Sequence, residues 1–292
     1  MPMCGSANTA TITVTASRRC LVRLRNVPRG YVAGSTASIH PLGMGKGESA
    51  LMNSVDHDFD LLTRPLYSFA EADRLAGVSR GTSNRWAKGY KYLNERGERV
   101  AQLSMTTRST TEPEQGVSFL DLVSIKAIDG LRKMGFGTRT IRQVVQYCQD
   151  ELKMAYPLAT QEFKTDRRKI YMHAGDGRLL EVLGGQQGAQ AWDRILDPFL
   201  KDLEYHNEFA RRWYPLGKDE PVVIDPDYSF GLPVVVGSGV RTESIAEQYY
   251  AGDKIEHIAY DFNVTREQID SALKLETQLA AWSSLIGPSR KG

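Results

Sequence analysis

Between Ser79 and Arg99 the chain concentrates side chains whose types suit a nucleic-acid duplex: Ser79, Arg80, Thr82, Ser83, Asn84, Arg85, Lys88, Lys91, Arg96 and Arg99. Hydroxyls, amides, guanidinium forks and ammonium groups are the partners that base edges and phosphate oxygens take. Six of the residues in 79–99 are basic, against only Glu95 and Glu98. The formal net charge of +2 says little about this patch, because residues 1–50 hold a local +5 and the remainder carries −3. A polyanion is therefore drawn to the focused patch rather than to the chain as a whole. The same residues would also suit a solvated helical hairpin inside a larger fold.

The elements that must position these residues are legible just upstream. Ser68 followed by Glu71 is a capping box, so a helix starts near Phe69, with Phe69, Ala72, Leu75 and Ala76 at helical spacing. Gly77 supplies the left-handed residue that ends it, and Val78 plugs the turn. Ser79 is the expected cap of a second helix over 80–88, with Trp86 inward and Arg80, Thr82, Ser83, Asn84 and Arg85 outward. Two strand-like runs, 90–93 and 99–103, flank Asn94-Glu95-Arg96-Gly97, which reads as the tip of a wing.

Beyond the wing, 106–115 is a polar connection, and Ser118 with Asp121 opens a further helix whose apolar face holds Phe119, Leu122, Val123, Ile125, Ala127, Ile128 and Leu131. Gly135 closes it, and Ile141, Val144, Val145 and Cys148 mark its antiparallel neighbour over 139–154. The order helix, turn, helix, wing and two helices, with Leu131-Arg132-Lys133-Met134-Gly135-Phe136 at the last joint, resembles the MerR-like winged helix-turn-helix domain. Regulators of that kind usually continue into a long coiled coil or a cysteine-rich metal loop. Neither is present, which argues against metal sensing.

The flanking segments read differently. Residues 1–60 form a disordered or extraneous tail on this reading: the first fifty are rich in Ser, Thr, Ala, Gly and Arg, and Met44 or Met52 is a plausible start. Residues 61–156 are the winged domain. Over 157–217 we expect a linker region: a β-hairpin through 162–163, 169–173 and 179–183, then an amphipathic helix over 189–209 with Trp192, Ile195, Leu196, Phe199, Leu200 and Leu203 in one stripe. Arg211-Arg212-Trp213-Tyr214-Pro215 reads as a surface anchor. Gly184-Gly185-Gln186-Gln187-Gly188 lacks the Lys-Ser/Thr of a phosphate cradle and reads as a loop.

A C-terminal domain over 218–283 and a tail over 284–292 complete the division. Val222 to Pro226, then Gly231-Leu232-Pro233 running to Gly237, resembles a small C-terminal domain of unknown function with the signature Asp-Pro, Gly-x-Pro-x-Ile-x-Gly-Thr-Arg-Val and a three-helix unit. Ser238 and Gly239 stand where Thr and Arg are common in that family. The domain occurs in VapB-type antitoxins, and one subgroup joins it to a MerR-like N-terminal domain in this order. Helix starts are expected from Thr242, from an Asp253–Glu256 box and from a Thr265–Gln268 box. The last helix carries Glu267, Asp270 and Glu276 against Arg266 and Lys274, which is unsuited to phosphates, so the unit reads as a dimerisation or partner module. Pro233, Val234, Val236, Ile269, Leu273, Leu279 and Trp282 are its expected interface.

The fold class expected is therefore mainly α with small β-hairpins: a MerR-like winged helix-turn-helix plus a C-terminal helix-turn-helix-like domain. No apolar run approaches the roughly 20 residues of a membrane span, and Cys4, Cys20 and Cys148 share no metal spacing, so a cytoplasmic protein without metal or cofactor is expected. Five isolated histidines and the pair Asp225 and Asp227 offer no nucleophile and base, which speaks against an enzyme. The resemblance implies a homodimeric antitoxin that binds double-stranded operator DNA, represses its own operon and neutralises a cognate toxin, a PIN-domain ribonuclease for VapB types. The alternative is a MerR-like transcription regulator responding to a small-molecule effector lodged among Tyr171, Trp192, Tyr205, Trp213 and Tyr214.

Overall fold

The structure is a computed structural model that describes residues 59–106, 116–161 and 199–285, all within the unit Lys46–Gly292. Helix α1, Phe69–Ala76, begins where the sequence dictates: the Glu71 amide donates to Ser68 Oγ at 3.2 Å and the Ser68 amide to Glu71 Oε2 at 2.8 Å. It ends at Gly77, whose φ of 69° is the left-handed stop. Helix α2, Thr82–Lys88, leads through Gly89 into a hairpin of β1, Tyr90–Leu93, and β2, Arg99–Gln102. Helices α3, Phe119–Lys133, and α4, Thr138–Asp150, follow, and α3 opens on the expected Ser118–Asp121 box.

Helix α3 is the hub. Eleven of its residues are buried, Asp121, Ser124 and Asp129 among them, so the helix is enclosed by its neighbours along most of its length. It packs on α1, α2, α4 and the sheet described next. Lys126 is a partly buried cation on this helix. Its Nζ donates to Ala76 O at 3.1 Å, serving a carbonyl at the C-terminal end of α1, and burial lowers its pKa.

The segment expected to be helical up to Phe209 instead turns into strands. Residues 199–201 are helical, but Leu203–His206 is strand β3 and Phe209–Trp213 is β4, so Leu203 belongs to a sheet and Arg211-Arg212-Trp213 is a strand rather than an anchor. Asn207 decides this: it adopts φ of 56°, which asparagine tolerates, and makes the tight reversal between the His206 and Phe209 partners. Strands β5, Val222–Ile224, and β6, Pro233–Val235, extend the sheet in the order β3-β4-β5-β6, all antiparallel. The hairpin expected within 162–183 and the loop at 184–188 lie outside the described residues.

Three helices close the chain: α5, Thr242–Ala251; α6, Ile255–Phe262; and α7, Arg266–Leu285. The Thr265–Gln268 box forms as expected, with bonds of 2.8 and 3.2 Å. The other two expected caps do not. Lys254, not Asp253, is the N-cap of α6, without a side-chain bond, and Arg241 precedes α5. Thr242 is drawn inward by Glu276, donating to its Oε1 at 2.6 Å, while Arg74 meets the other carboxylate oxygen at 3.5 Å. A small cluster of Val235, Ile245, Ile258, Val264, Ile269 and Ala272 holds these helices together, whereas Leu275 and Leu279 belong to the main core that begins at Leu62. Among the described residues no helix is long and apolar enough to cross a membrane.

Tyr67 joins two distant parts of the chain. Its backbone pairs with Val117, its ring is buried, and its hydroxyl donates to Gly231 O at 2.8 Å across 164 residues. Gly231 must be glycine, because a Cβ there would lie 2.3 Å from that hydroxyl oxygen. Burial, reinforced by the nearby Asp225 charge, holds the phenol well above the ordinary 10.0. Replacing Tyr67 by Phe strands the Gly231 carbonyl and is expected to cost about 1–3 kcal/mol near pH 7, read by urea unfolding. Above pH 10 the unfolded wild type loses the phenol proton while the folded state keeps it, so wild-type stability falls as pH rises. The variant has no such proton, and the gap between the two should narrow; a gap that widens with pH would contradict a buried protonated donor.

Candidate nucleic-acid interface

The entry to α2 is built by a residue that the sequence pattern did not single out. Asp73, buried in α1, reaches forward so that Oδ1 accepts the Ser83 amide at 2.8 Å and Oδ2 accepts the Gly81 amide at 2.5 Å. Gly81 is the true N-cap, at φ of 78°, where a β-carbon would be strained. A carboxylate at a helix start satisfies orphan amides and favours the positive end of the helix. The Ser79 cap expected from sequence is thus replaced by Asp73, and Ser79 and Arg80 sit exposed in the turn.

This shift changes which side chains α2 presents. Thr82 and Ser83 are buried with Trp86 and Ala87, at 3% and 0% exposure, so two of the residues expected outside face the core. Asn84, Arg85 and Lys88 remain exposed on the opposite side. Two of them are steadied from within: Arg85 donates to Thr82 Oγ1 at 3.3 Å, and Lys88 Nζ lies 4.8 Å from the centre of the Phe69 ring.

The hairpin is exposed along all of β1. Its register places Lys91, Leu93, Arg99 and Ala101 on one face and Tyr90, Tyr92, Val100 and Gln102 on the other. Asn94 Oδ1 accepts the Arg96 and Glu98 amides at 3.0 and 2.9 Å, so the tip bearing Arg96 is internally fixed. At the base, Gly89 cannot carry a Cβ, which would come within 2.2 Å of Gln102 O. Arg142 of α4, almost fully buried, donates through Nε to Leu103 O at 3.2 Å and through Nη1 to Gln102 Oε1. Met105 N–H donates to Trp86 O at 2.8 Å, tying the end of the hairpin to α2. The two exposed basic elements are therefore fastened to each other.

Chemically, the arrangement offers Ser79, Arg80, Asn84, Arg85, Lys88, Lys91, Arg96 and Arg99 as exposed donors, backed by a rigid scaffold. That is suited to phosphates and to base edges.

The residues expected to form a subunit interface are mostly occupied within the chain. Val234 pairs with Val223 in β6–β5 and bridges to Arg241, Pro233 pairs with Ile224, and Ile269 and Leu279 are core. Trp282 donates from Nε1 to Val78 O at 3.2 Å, in the very turn between α1 and α2, under the Lys133 ammonium at 5.5 Å. The apolar face of α7, expected to meet a second chain or a partner, is largely covered within the chain. Leu273 is half-buried in the small cluster, and Val236 alone of the seven is exposed.

Asp225 and Asp227 are a structural corner. Asp225 is 1% exposed, accepts the Asp227 amide at 2.9 Å and receives Arg212 Nε at 2.6 Å, which raises the Arg212 pKa, while Asp227 pairs with Arg211. His206 and His257 are exposed, and the other three histidines lie outside the described residues. Of the aromatics that could line an effector pocket, Trp213 is core, Tyr205 is half-buried, and Tyr214 lines an open cleft. Tyr171 and Trp192 lie outside the described residues.

Residues 65–145 match a family described as "Putative DNA-binding HTH domain", and residues 222–274 match "Protein of unknown function (DUF433)". A Mycobacterium tuberculosis (strain ATCC 25618 / H37Rv) protein named "Putative antitoxin VapB45" is 25% identical over 224 residues, 72% of this chain and 92% of that protein. The chain is thus similar to that protein along most of the length of both. A second relative from the same organism, "Uncharacterized protein Rv2308", is 25% identical over 228 residues, 73% of this chain and 90% of the relative. The crystal structure of Rv2018 from Mycobacterium tuberculosis shares the fold, with a TM-score of 0.53 at 23% identity over 72% of this chain and 98% of that one.

Asp73→Ala removes the acceptor of two amides at the α2 start. It is expected to destabilise the protein by about 2–3 kcal/mol in urea unfolding, with Asp73→Asn intermediate because one carbonyl acceptor remains. Wild-type stability in the alanine variant would show that the carboxylate does not cap α2.

Proposed function

We propose that this protein is a DNA-binding antitoxin which represses its own operon and neutralises a cognate toxin, and that it acts as a homodimer on double-stranded operator DNA. The observation that carries the DNA part is the set of exposed basic side chains on α2 and the β1–β2 hairpin, held in fixed relation by Asp73, Arg142 and the Met105–Trp86 bond. Helix α2 enters the major groove, with Arg80, Asn84 and Arg85 toward base edges, and the hairpin lies as a wing along the backbone, with Lys91, Arg96 and Arg99 at phosphates. Ser79 and Lys88 flank the helix contacts. Thr82 and Ser83 act from behind, as packing.

The antitoxin part is supported by the homologue's name and by the joining of the two matched families in one chain. The VapB resemblance makes the toxin a PIN-domain ribonuclease. Operation as a dimer follows from operator geometry, since one reading head per chain needs a second head to span a two-fold site.

Arg80→Ala and Arg85→Ala are expected to weaken binding to the DNA upstream of the gene by about 1–3 kcal/mol each, or roughly 5- to 150-fold, in mobility-shift titrations. Arg96→Ala at the hairpin tip should lower affinity on all sequences alike and reduce the salt-dependence slope by about 1. Unchanged affinity in the Arg80/Arg85 double variant would remove the DNA assignment.

A further inference from the structure

The β1–β2 hairpin has two unlike faces. Tyr90, Tyr92, Val100 and Gln102 share the one that is turned to the body of the reading head. There Gln102 Oε1 accepts from Arg142 Nη1, Gln102 Nε2 donates to Tyr92 Oη at 3.4 Å, and Val100 and Gln102 are half-buried. The opposite face, Lys91 and Leu93 on β1 with Arg99 and Ala101 on β2, is exposed throughout. Leu93 is the extreme case, 65% exposed against 42% and 41% for Tyr90 and Tyr92. A lone exposed leucine is ordinary on a protein surface, so its neighbours decide what it can do.

Across the strands Lys91 faces Ala101 and Leu93 faces Arg99, so the two cations hold one diagonal of the face and the two apolar side chains the other. Diagonal positions of an antiparallel pair lie about 7–8 Å apart. Neither cation has a carboxylate partner among the described residues, and the neighbouring Glu98 is engaged by Asn94 Nδ2 at 2.8 Å. The minor groove of B-DNA is about 6 Å wide, with a phosphate strand along each wall and base edges on its floor. Two cations on a diagonal of similar span supply a positive charge to each wall, and the leucine between them supplies an apolar group to the space they enclose. The face is also continuous with the basic side chains of α2, to which the hairpin is tied through Met105 and Trp86. The same face of a second copy would instead bring four unpaired cations together, which disfavours self-association through it.

We infer that the hairpin lies across the minor groove beside the site of α2, with Lys91 and Arg99 on phosphates of opposite strands and Leu93 entering the groove between them as an apolar wedge. Leucine is among the side chains that open minor-groove base steps. A contact of this kind reads groove width and the deformability of base steps, not a donor and acceptor pattern, and it makes Leu93 a specificity-determining residue beside the base-directed side chains of α2. The inference rests on the DNA reading proposed above. It differs from the cationic contacts in one measurable respect: removing a leucine releases no phosphate contact, so affinity changes while the salt-dependence slope does not.

Mobility-shift titrations of the full-length chain on the DNA upstream of the gene, run at several salt concentrations, test it. Leu93→Ser is expected to weaken binding about tenfold, the factor that burying a leucine side chain supports, with the salt slope and thermal stability of the wild type. Leu93→Met keeps an apolar wedge and retains wild-type affinity. Exchanging guanine for hypoxanthine removes the N2 amino group from the groove floor, and exchanging adenine for diaminopurine adds one, both without altering the major-groove edge. At pairs under the hairpin, removal strengthens and addition weakens wild-type binding, and Leu93→Ser responds to neither. Wild-type affinity in Leu93→Ser, an equal loss in Leu93→Met, a salt slope lowered by about 1 in Leu93→Ser, or a wild type indifferent to both exchanges at every pair overturns the wedge and leaves the DNA reading standing. A wild type that binds no duplex removes the DNA reading itself, and the wedge with it.

Discussion

The hydrogen bond from the Tyr67 hydroxyl to the Gly231 carbonyl is the constraint around which the structure is organised. Tyr67 is the residue before the α1 cap, and its backbone pairs with Val117, directly before the α3 cap. One residue thereby fixes the starting points of the two helices on which the reading head is built. Through its side chain it also reaches the turn between β5 and β6 in the C-terminal sheet. The glycine at 231 is required twice over, by its positive φ and by the closeness of the phenol oxygen. A side chain at that position would push the reading head and the DUF433 segment apart.

A second seam runs along α7 and reinforces the first. Leu275 and Leu279 enter the main core, Glu276 joins Thr242 to Arg74, and Trp282 reaches the Val78 carbonyl. Val78 lies in the turn whose geometry Asp73 completes from the other side, so the turn between α1 and α2 is held by the C-terminal helix and by α1 at once. This explains why α7 is amphipathic beyond the needs of its own three-helix unit. The excess apolar surface covers the back of the reading head, and the acidic residues Glu267 and Asp270 stay at its exposed beginning.

The parts of this arrangement written in local sequence were legible. Three reciprocal capping boxes, at Ser68, Ser118 and Thr265, form as their spacing requires, because each depends only on residues three apart. The left-handed stop at Gly77 is equally local. What the sequence did not disclose depends on distant partners. Thr242 looks like a cap until Glu276, 34 residues away, claims its hydroxyl, and Thr82 and Ser83 look like surface donors until Asp73 moves the helix start past Ser79. The strand pair after Lys201 was hidden because Leu203 continues the helical stripe of Phe199 and Leu200, and only Asn207 marks the reversal. Periodicity fails there because a short strand and the end of an amphipathic helix offer the same few apolar residues.

One consequence concerns how a single core joins the reading head to the C-terminal sheet. The basic side chains on α2 and the turn between β5 and β6 are both tied to Tyr67 within a chain of direct contacts. Tyr67 borders α1, whose Asp73 sets the start of α2, and its hydroxyl holds that turn. A rigid link of this sort fixes where the reading head stands relative to the turn, so any contact made through that turn sets the position of α2 as well. Half-site spacing on a two-fold operator is a distance of about 34–36 Å between recognition helices, and it has meaning only if such a link is stiff. In this protein the link is the Tyr67–Gly231 bond together with the α7 seam, where Leu275 and Leu279 enter the main core and Trp282 reaches the Val78 carbonyl, so the turn and the reading head share one packed core.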